Sequence, residues 1–195
     1  MRMEWLKAGI LVFFLVVFQL IGAYQETLPN FQPVAALIFC GFATLNNRLS
    51  WVSIVAWLLA YPVATKLNGD YAIISTTLAV QLVSFALIAF LAKTVFKQNA
   101  GSTQLSKLLG GSLCGAVLFY VITNGFSWLS SSFYSKDWKG FYEAFWAGPA
   151  GAVMPTWHFF RNSLMANLGF VVLYWVSVQS FEKKTLFASK EVPVN

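Results

Sequence analysis

The sequence predicts an all-α polytopic membrane protein, a bundle of six transmembrane helices. Two observations carry this. Of 195 residues, 58% are hydrophobic and only 10% charged, against roughly 25% charged in an average soluble domain. Apolar runs recur along the whole chain, separated by short polar breaks. With a mean hydropathy of +0.65, the lipid bilayer is the first partner this composition calls for.

Six spans follow in order. The first, 6–24, is closed by Gln25-Glu26-Thr27. With Arg2 and Lys7 ahead of its apolar run and Gly22-Ala23 at its end, it also fits a signal peptide; we count it as a span. The second, 33–45, opens at Pro33, whose fixed φ suits a helix start, and ends at Asn46-Asn47-Arg48. The third, 51–65, contains Pro62, which is expected to kink or end it. Asn68-Gly69-Asp70 makes a turn. The fourth, 71–96, is long enough to cross with some tilt and closes on Lys93 and Lys97. After a loop at 99–103 come the fifth span, 105–129, a long connection, 130–154, and the sixth span, 156–180. Residues 1–181 are thus one transmembrane domain, and 182–195 a polar tail expected to fray. The second and third spans are short for a hydrocarbon core of about 30 Å. Short spans suit the inside of a bundle or the edge of a cavity.

Lysine and arginine set the orientation. With the amino terminus inside, Arg2, Lys7, Arg48, Lys93, Lys97, Lys107, Lys183, Lys184 and Lys190 are cytoplasmic. Only Lys66, Lys136, Lys139 and Arg161 lie across the membrane. The excess places both termini in the cytoplasm, and this asymmetry is enough to explain the net charge of +6 without a nucleic-acid partner. The 130–154 connection then lies outside. Its Trp138, Phe141, Tyr142, Phe145 and Trp146 form an aromatic segment over 137–147, broken by Gly148-Pro149-Ala150-Gly151. That segment fits an interfacial helix, either a lid over a site or a piece resting at the headgroups.

Absences narrow the chemistry. The seven acids, Glu4, Glu26, Asp70, Asp137, Glu143, Glu182 and Glu191, all lie outside the predicted spans. Ion-coupled transport through intramembrane carboxylates is therefore not expected. Cys40 and Cys114 fall inside apolar runs and read as buried small hydrophobes, and a single His leaves no metal site. No nucleophile elbow, phosphate loop or carboxylate pair stands at useful spacing. The sequence predicts no enzyme, no cofactor and no metal.

Polar groups instead converge at one depth. Tyr120, Asn124, Ser127 and Ser131 form a stripe along the outer half of the fifth span, and Ser75, Thr76, Thr77 and Gln81 open the fourth. Asn30 and Gln32 stand in the first outer loop. The sixth span opens with Pro155-Thr156-Trp157-His158-Phe159-Phe160-Arg161-Asn162, where His158, Arg161 and Asn162 share a helix face at i, i+3 and i+4. Such groups face a cavity, a partner or the interface; Trp157, His158 and Arg161 also fit interfacial anchors. A cup of amides, hydroxyls, one cation and aromatic walls suits a small-molecule ligand. The candidate ligand-binding residues are Asn30, Gln32, Asn124, Trp128, Trp157, His158, Arg161 and Asn162. Arg161 would meet an anionic or carbonyl group, and the aromatics would stack on a ring. Taken singly, each polar residue also fits a helix–helix hydrogen bond. Gly111-Ser112-Leu113-Cys114-Gly115 is a small-xxx-small pattern that lets helices approach within the bundle or toward a partner.

Three pieces together resemble a known family. Pro29-Asn30-Phe31-Gln32-Pro33-Val34-Ala35-Ala36-Leu37 leads a short helix to Gly41, and Phe119-Tyr120-Val121-Ile122-Thr123-Asn124-Gly125-Phe126-Ser127-Trp128 ends the fifth span. Gly140-Phe141-Tyr142-Glu143-Ala144, Pro155, Phe159, Asn162, Ser163 and Leu164 mark the last third. Over roughly residues 28–174 the chain resembles the DUF6580 family of uncharacterised bacterial membrane proteins. That family in turn looks similar to the substrate-binding S-components of energy-coupling-factor vitamin transporters. The resemblance implies a six-helix S-component-like bundle in the bacterial cytoplasmic (inner) membrane, with an outward-facing solute site served by a separate energising module. The small-residue AxxxA pattern that many S-components carry on the first helix is absent from 6–24, and Asn167 stands where the family often has an acid. The alternative function is that of a structural or accessory subunit of a larger membrane complex, with the aromatic loop and the glycine pattern as contact surfaces.

Overall fold

The computed structural model describes residues 2–24, 30–67, 69, 74–95 and 104–190, including the side chains of all but Arg2, Tyr24 and residues 184–190. Pro29, Glu26, Asn68, Asp70, Lys97, the 99–103 loop and residues 191–195 lie outside the described residues. The described chain is all-helical: α1 (Arg2–Tyr24), α2 (Val34–Thr44), α3 (Val52–Leu67, preceded by a short 3-10 turn), α4 (Thr76–Val95), α5 (Leu105–Ser130), α6 (Trp138–Tyr142, continued by a π turn, Glu143–Ala147) and α7 (Thr156–Lys190).

Five of these helices are long and apolar enough to cross a membrane, within Met3–Ala23, Leu49–Leu67, Thr76–Val95, Leu105–Ser130 and Thr156–Lys183. Their outward faces carry large apolar side chains such as Phe13, Leu59, Phe90 and Leu129. A soluble monomer rarely exposes so continuous an apolar surface, whereas lipid accepts it.

α2 is different. It has 11 residues, about 16 Å of helix at 1.5 Å per residue, which is too little to cross alone. Its residues from Val34 to Phe42 are all buried, and it packs against α1, α3, α4, α5 and α7. The flanking residues extend its reach. At one end Gln32 approaches the backbone of Gly22 in α1; at the other the Asn46 amide donates to Glu4 Oε2 at 2.9 Å. The segment from Gln32 to Asn46 therefore runs back along α1, between its two ends. The Glu4 end is tied further by Lys7–Glu182 at 3.2 Å and by Thr44 against Tyr174, hydroxyl to hydroxyl at 2.6 Å. We call the opposite end, where α5 finishes and α7 starts, the mouth.

Gly111, Ser112 and Gly115 of the glycine pattern are spent inside the bundle, each on a different neighbour, whereas Cys114, expected to be buried, is exposed. A Cβ on Gly111 would stand 2.1 Å from Phe39 Cζ of α2, so the ring lies on bare α5 backbone. Gly115 faces Ile88 of α4 at an ordinary 3.5 Å. Between them Ser112 donates to Asn167 Oδ1 of α7 at 3.0 Å, and Asn167 Nδ2 donates to the Ser163 carbonyl at 2.8 Å. Both side chains are buried, so this is an interhelical bond away from solvent, the usual use of small polar residues in membrane helices.

Three boundaries differ from the sequence expectation. Pro62 does not end α3, which continues to Leu67; the Thr65 hydroxyl donates to the carbonyls of Tyr61 and Pro62 and supports the turn after the proline. α4 starts at Thr76, where the Ser75 hydroxyl accepts from the Leu78 amide and caps the helix; the expected start at Tyr71 lies outside the described residues. α7 runs on to Lys190 instead of fraying after 181: the Lys7–Glu182 pair anchors its extension, and the following residues favour helix.

Gly111→Ala is expected to lower stability in detergent by about 1–3 kcal/mol, the usual range for overpacking. Gly115→Ala should change it by less than about 1 kcal/mol, and Gly110→Ala, with open space around its Cα, should be neutral or stabilising. Thermal unfolding of the three variants checks this; equal melting would show that the Phe39–Gly111 contact does not constrain the bundle.

Candidate functional site

At the mouth, five helices part around a cavity of about 200 Å³. Asn30 and Gln32, with Val34 and Ala35 at the start of α2, form one side. α3 contributes Trp57, α4 Thr77, Gln81 and Phe85, α5 Phe119, Tyr120, Thr123 and Asn124, and α7 Phe159 and Ser163. On α4 and α5 the polar residues stand toward the mouth and Phe85 and Phe119 lie deeper. These two rings stack at 5.4 Å, and Trp57 meets Phe85 edge-on at 4.8 Å. The result is an aromatic floor under a polar rim.

Local backbone explains how the rim is held. Asn30 adopts φ +61°, a left-handed conformation that asparagine tolerates better than most residues, and its carbonyl accepts from the Gln32 amide at 2.9 Å. Asn124 Nδ2 donates to the Tyr120 carbonyl one turn earlier at 2.9 Å, which holds the amide at the rim. The Tyr120 hydroxyl donates to the Phe145 carbonyl and so ties the rim to the π turn. Among the described residues, Gln81 Oε1 is buried without a hydrogen-bond partner, as is Gln19 Oε1 of α1.

Of the sequence candidates, Asn30, Gln32 and Asn124 line this cavity. Trp128 does not; it sits above, edge-on to Phe141 at 5.4 Å, with Nε1 donating to the Ser135 carbonyl. Trp157, His158, Arg161 and Asn162 are also outside the lining. They form a neighbouring cluster in which Trp157 stacks on Trp146 and meets His158 edge-on at 4.2 Å. The Arg161 guanidinium lies 5.3 Å over the Trp157 ring and reaches Asn162 Oδ1 at 3.3 Å. Arg161 is exposed while Asn162 is buried. α7 instead offers the cavity Phe159 and Ser163, one residue along from His158 and Asn162 and so turned by about 100°. Thr77, Gln81 and Tyr120 had been legible as polar at the right depth. Trp57, Phe85 and Phe119 had no signal of their own, because a buried aromatic in a lipid-facing sequence looks like any other.

The 130–154 connection roofs the mouth. Lys136 Nζ donates to the carbonyls of Trp128, Ser131 and Tyr134 and so neutralises the carboxyl end of α5. Asp137 caps α6, accepting from the Gly140 amide at 2.8 Å and the Ser135 hydroxyl at 2.6 Å. Those bonds, the Gly140 amide foremost, hold its exposed carboxyl below the usual carboxylate range. The cap is therefore complete above the ordinary carboxylate pKa and is lost as pH falls through the depressed value. Burial, with Glu143 adding to it, raises the Tyr134 phenol, so that hydroxyl stays neutral. Thr156 donates to the Glu143 carbonyl at 3.3 Å, fastening the roof to α7. Tyr134, Pro149, Ala152 and Met154 extend the space beyond Asn124 and Phe159 as a shallower groove.

Fold and cavity together define the class: an all-helical membrane protein with a polar-rimmed hollow at one end. Residues 2–189 match the family of unknown function DUF6580, and the chain belongs to that family. No curated protein and no solved structure matches it.

A Cβ at position 140 would stand 1.9 Å from the Ser135 carbonyl oxygen. Gly140→Ala should therefore open the 135–140 turn and raise limited proteolysis within 131–155 several-fold, while Gly169→Ala, with open space around it, should not. Equal cleavage of the two variants would mean that the roof does not depend on this turn.

Proposed function

We propose that this chain is a six-pass, S-component-like membrane protein that captures a small solute from outside the cell for uptake with a separate energising module, and is not itself an enzyme. The observation that carries the reading is the mouth cavity, in which rim residues from the α2 approach, α4, α5 and α7 surround an aromatic floor. A concave, mostly apolar hollow with a few convergent polar groups is the usual form of a small-molecule site. The sixth pass is the segment through α2, whose two ends meet the two ends of α1. The excess of Lys and Arg at the Glu4 end supports cytoplasmic termini and an outward mouth, in a bacterial cytoplasmic membrane.

Asn30, Gln32 and Asn124 are the candidate residues best placed to touch a solute. Trp128 supports the roof, and the Trp157–His158–Arg161–Asn162 cluster flanks the site with the geometry of an interfacial anchor. A second reading, an accessory subunit of a larger membrane complex, draws on Phe133, Trp138 and Val153. These are 79%, 85% and 97% exposed around the mouth and could meet another protein.

Native mass spectrometry of the protein, gently extracted from its own membrane, tests both. The expected result is a small molecule retained on the chain, lost in Asn124→Leu and kept in Arg161→Ala. Loss in Arg161→Ala alone would move the solute to the Trp157 cluster. A defined larger complex with no retained solute would favour the subunit reading.

A further inference from the structure

The helical segment of the roof, α6 with its π turn, does not stand clear of the bundle. Phe141 meets Trp128 edge-on at 5.4 Å, near the end of α5. One turn later, Phe145 Cζ lies 3.8 Å from where a Cβ on Gly125 would stand. Gly125 is set back from Ser130, the last residue of α5, by about 7.5 Å at 1.5 Å per residue. The Phe145 carbonyl accepts from the hydroxyl of Tyr120, deeper still on α5. On the other side the Glu143 carbonyl accepts from Thr156, the first residue of α7, at 3.3 Å, and Trp146 stacks on Trp157 at 6.1 Å. Both neighbours are long and apolar enough to cross a membrane, over Leu105–Ser130 and Thr156–Lys183. The segment thus packs against them within those spans, at the depth where they leave the bilayer.

Its two faces differ. Gly140, Ala144 and Gly148 recur every fourth residue and are buried. Two positions away, and so on the opposite face, Trp138, Tyr142 and Trp146 form a second row that is 85%, 57% and 53% exposed. In water this ridge would hold a large apolar area against solvent. Trp and Tyr combine an apolar ring with one polar tip, which suits the boundary between headgroups and acyl chains. Lys139, exposed beside the ridge, can lay its stem on apolar surface and keep its ammonium among phosphates. The apolar surface also continues onto the spans, where Leu129 of α5 and Met165 of α7 are largely exposed.

We propose that the Trp138–Tyr142–Trp146 ridge is seated in the mouth-side leaflet, with its rings at the headgroup–acyl boundary and lipid as its partner. The segment is then held from both faces, by the bundle and by the bilayer. The assignment rests on the membrane class of the chain and does not depend on a solute in the cavity. It gives Trp138 to lipid, where the subunit reading gives it to another protein.

A nitroxide label on the full chain, in nanodiscs of phosphatidylethanolamine and phosphatidylglycerol, tests this. Cys114, which is exposed, is first removed as Cys114→Ala, and Cys40 is buried. Tyr142→Cys then carries the label, and Trp138→Cys, labelled separately, gives a second reading if the first variant does not fold. Oxygen concentrates in the bilayer, whereas a nickel chelate stays in water. The ratio of oxygen to nickel relaxation is expected to rise several-fold over that of the free label in buffer. An unchanged ratio would place the ridge in water and overturn the proposal. Protection from both reagents would mean cover by protein, a second copy or a partner; it would overturn the lipid assignment and favour the subunit reading.

Discussion

Everything in this bundle is arranged around a helix that lipid does not touch. α2 is only 11 residues long and is buried on every side, so each surrounding helix must come close to it. Phe39 decides how close. Its ring lies where the Cβ of any residue but glycine at 111 would stand, and Gly41 on the same helix lies correspondingly close to Ser53 of α3 and Leu11 of α1. In lipid there is no hydrophobic drive to press helices together, because the tails are as apolar as leucine. Shape and small residues must supply the attraction, through many weak contacts at close range. The central helix can be short because it is wrapped; the surrounding helices must be long because they face the hydrocarbon.

A short central helix also makes the cavity. α2 begins only at Val34, after a turn through Asn30 to Pro33, and so leaves the mouth-side core of the bundle without a helix in it. α3, α4, α5 and α7 continue past that level, and the space between them is the hollow that Asn30, Gln32, Thr77, Gln81 and Asn124 line. Packing and site are one consequence of one chain length.

Much of this was legible beforehand, for particular reasons. Spans showed because lipid demands long apolar runs, and α5 matched its expected bounds almost to the residue. The depth of the site showed because polar residues in apolar spans are rare enough to count, and Asn30, Gln32 and Asn124 meet where their depth implied. Rotation about the helix axis did not show. His158, Arg161 and Asn162 were chosen as a face, yet the cavity takes Phe159 and Ser163, because the i, i+3, i+4 rule says which residues share a side but not which neighbour that side meets. Start and stop signals inside polar stretches were also hard to weigh: Ser75 is one of three adjacent hydroxyl residues, and only geometry identifies it as the cap. Pro62 does not end α3, which runs on to Leu67, because a proline inside a helix removes one backbone bond, that to the Leu58 carbonyl, and the turns on either side can continue.

The two ends of the molecule are built to different standards, and the difference bears on mechanism. At the Glu4 end polar groups are matched: Lys7 with Glu182, Asn46 with Glu4, Thr44 with Tyr174. That end contains residues of zero exposure such as Leu11, Ile38 and Phe39. At the mouth, Thr123 and Asn124 bond to carbonyls of their own helix, and Gln81 Oε1 has no partner among the described residues. The roof is held largely by a few side-chain bonds, from Tyr120, Thr156, Lys136 and Asp137. Stability in a folded chain is not uniform, and elements that open are drawn from its weaker parts. Tyr120 joins rim and roof: it lines the cavity, and its hydroxyl holds the π turn.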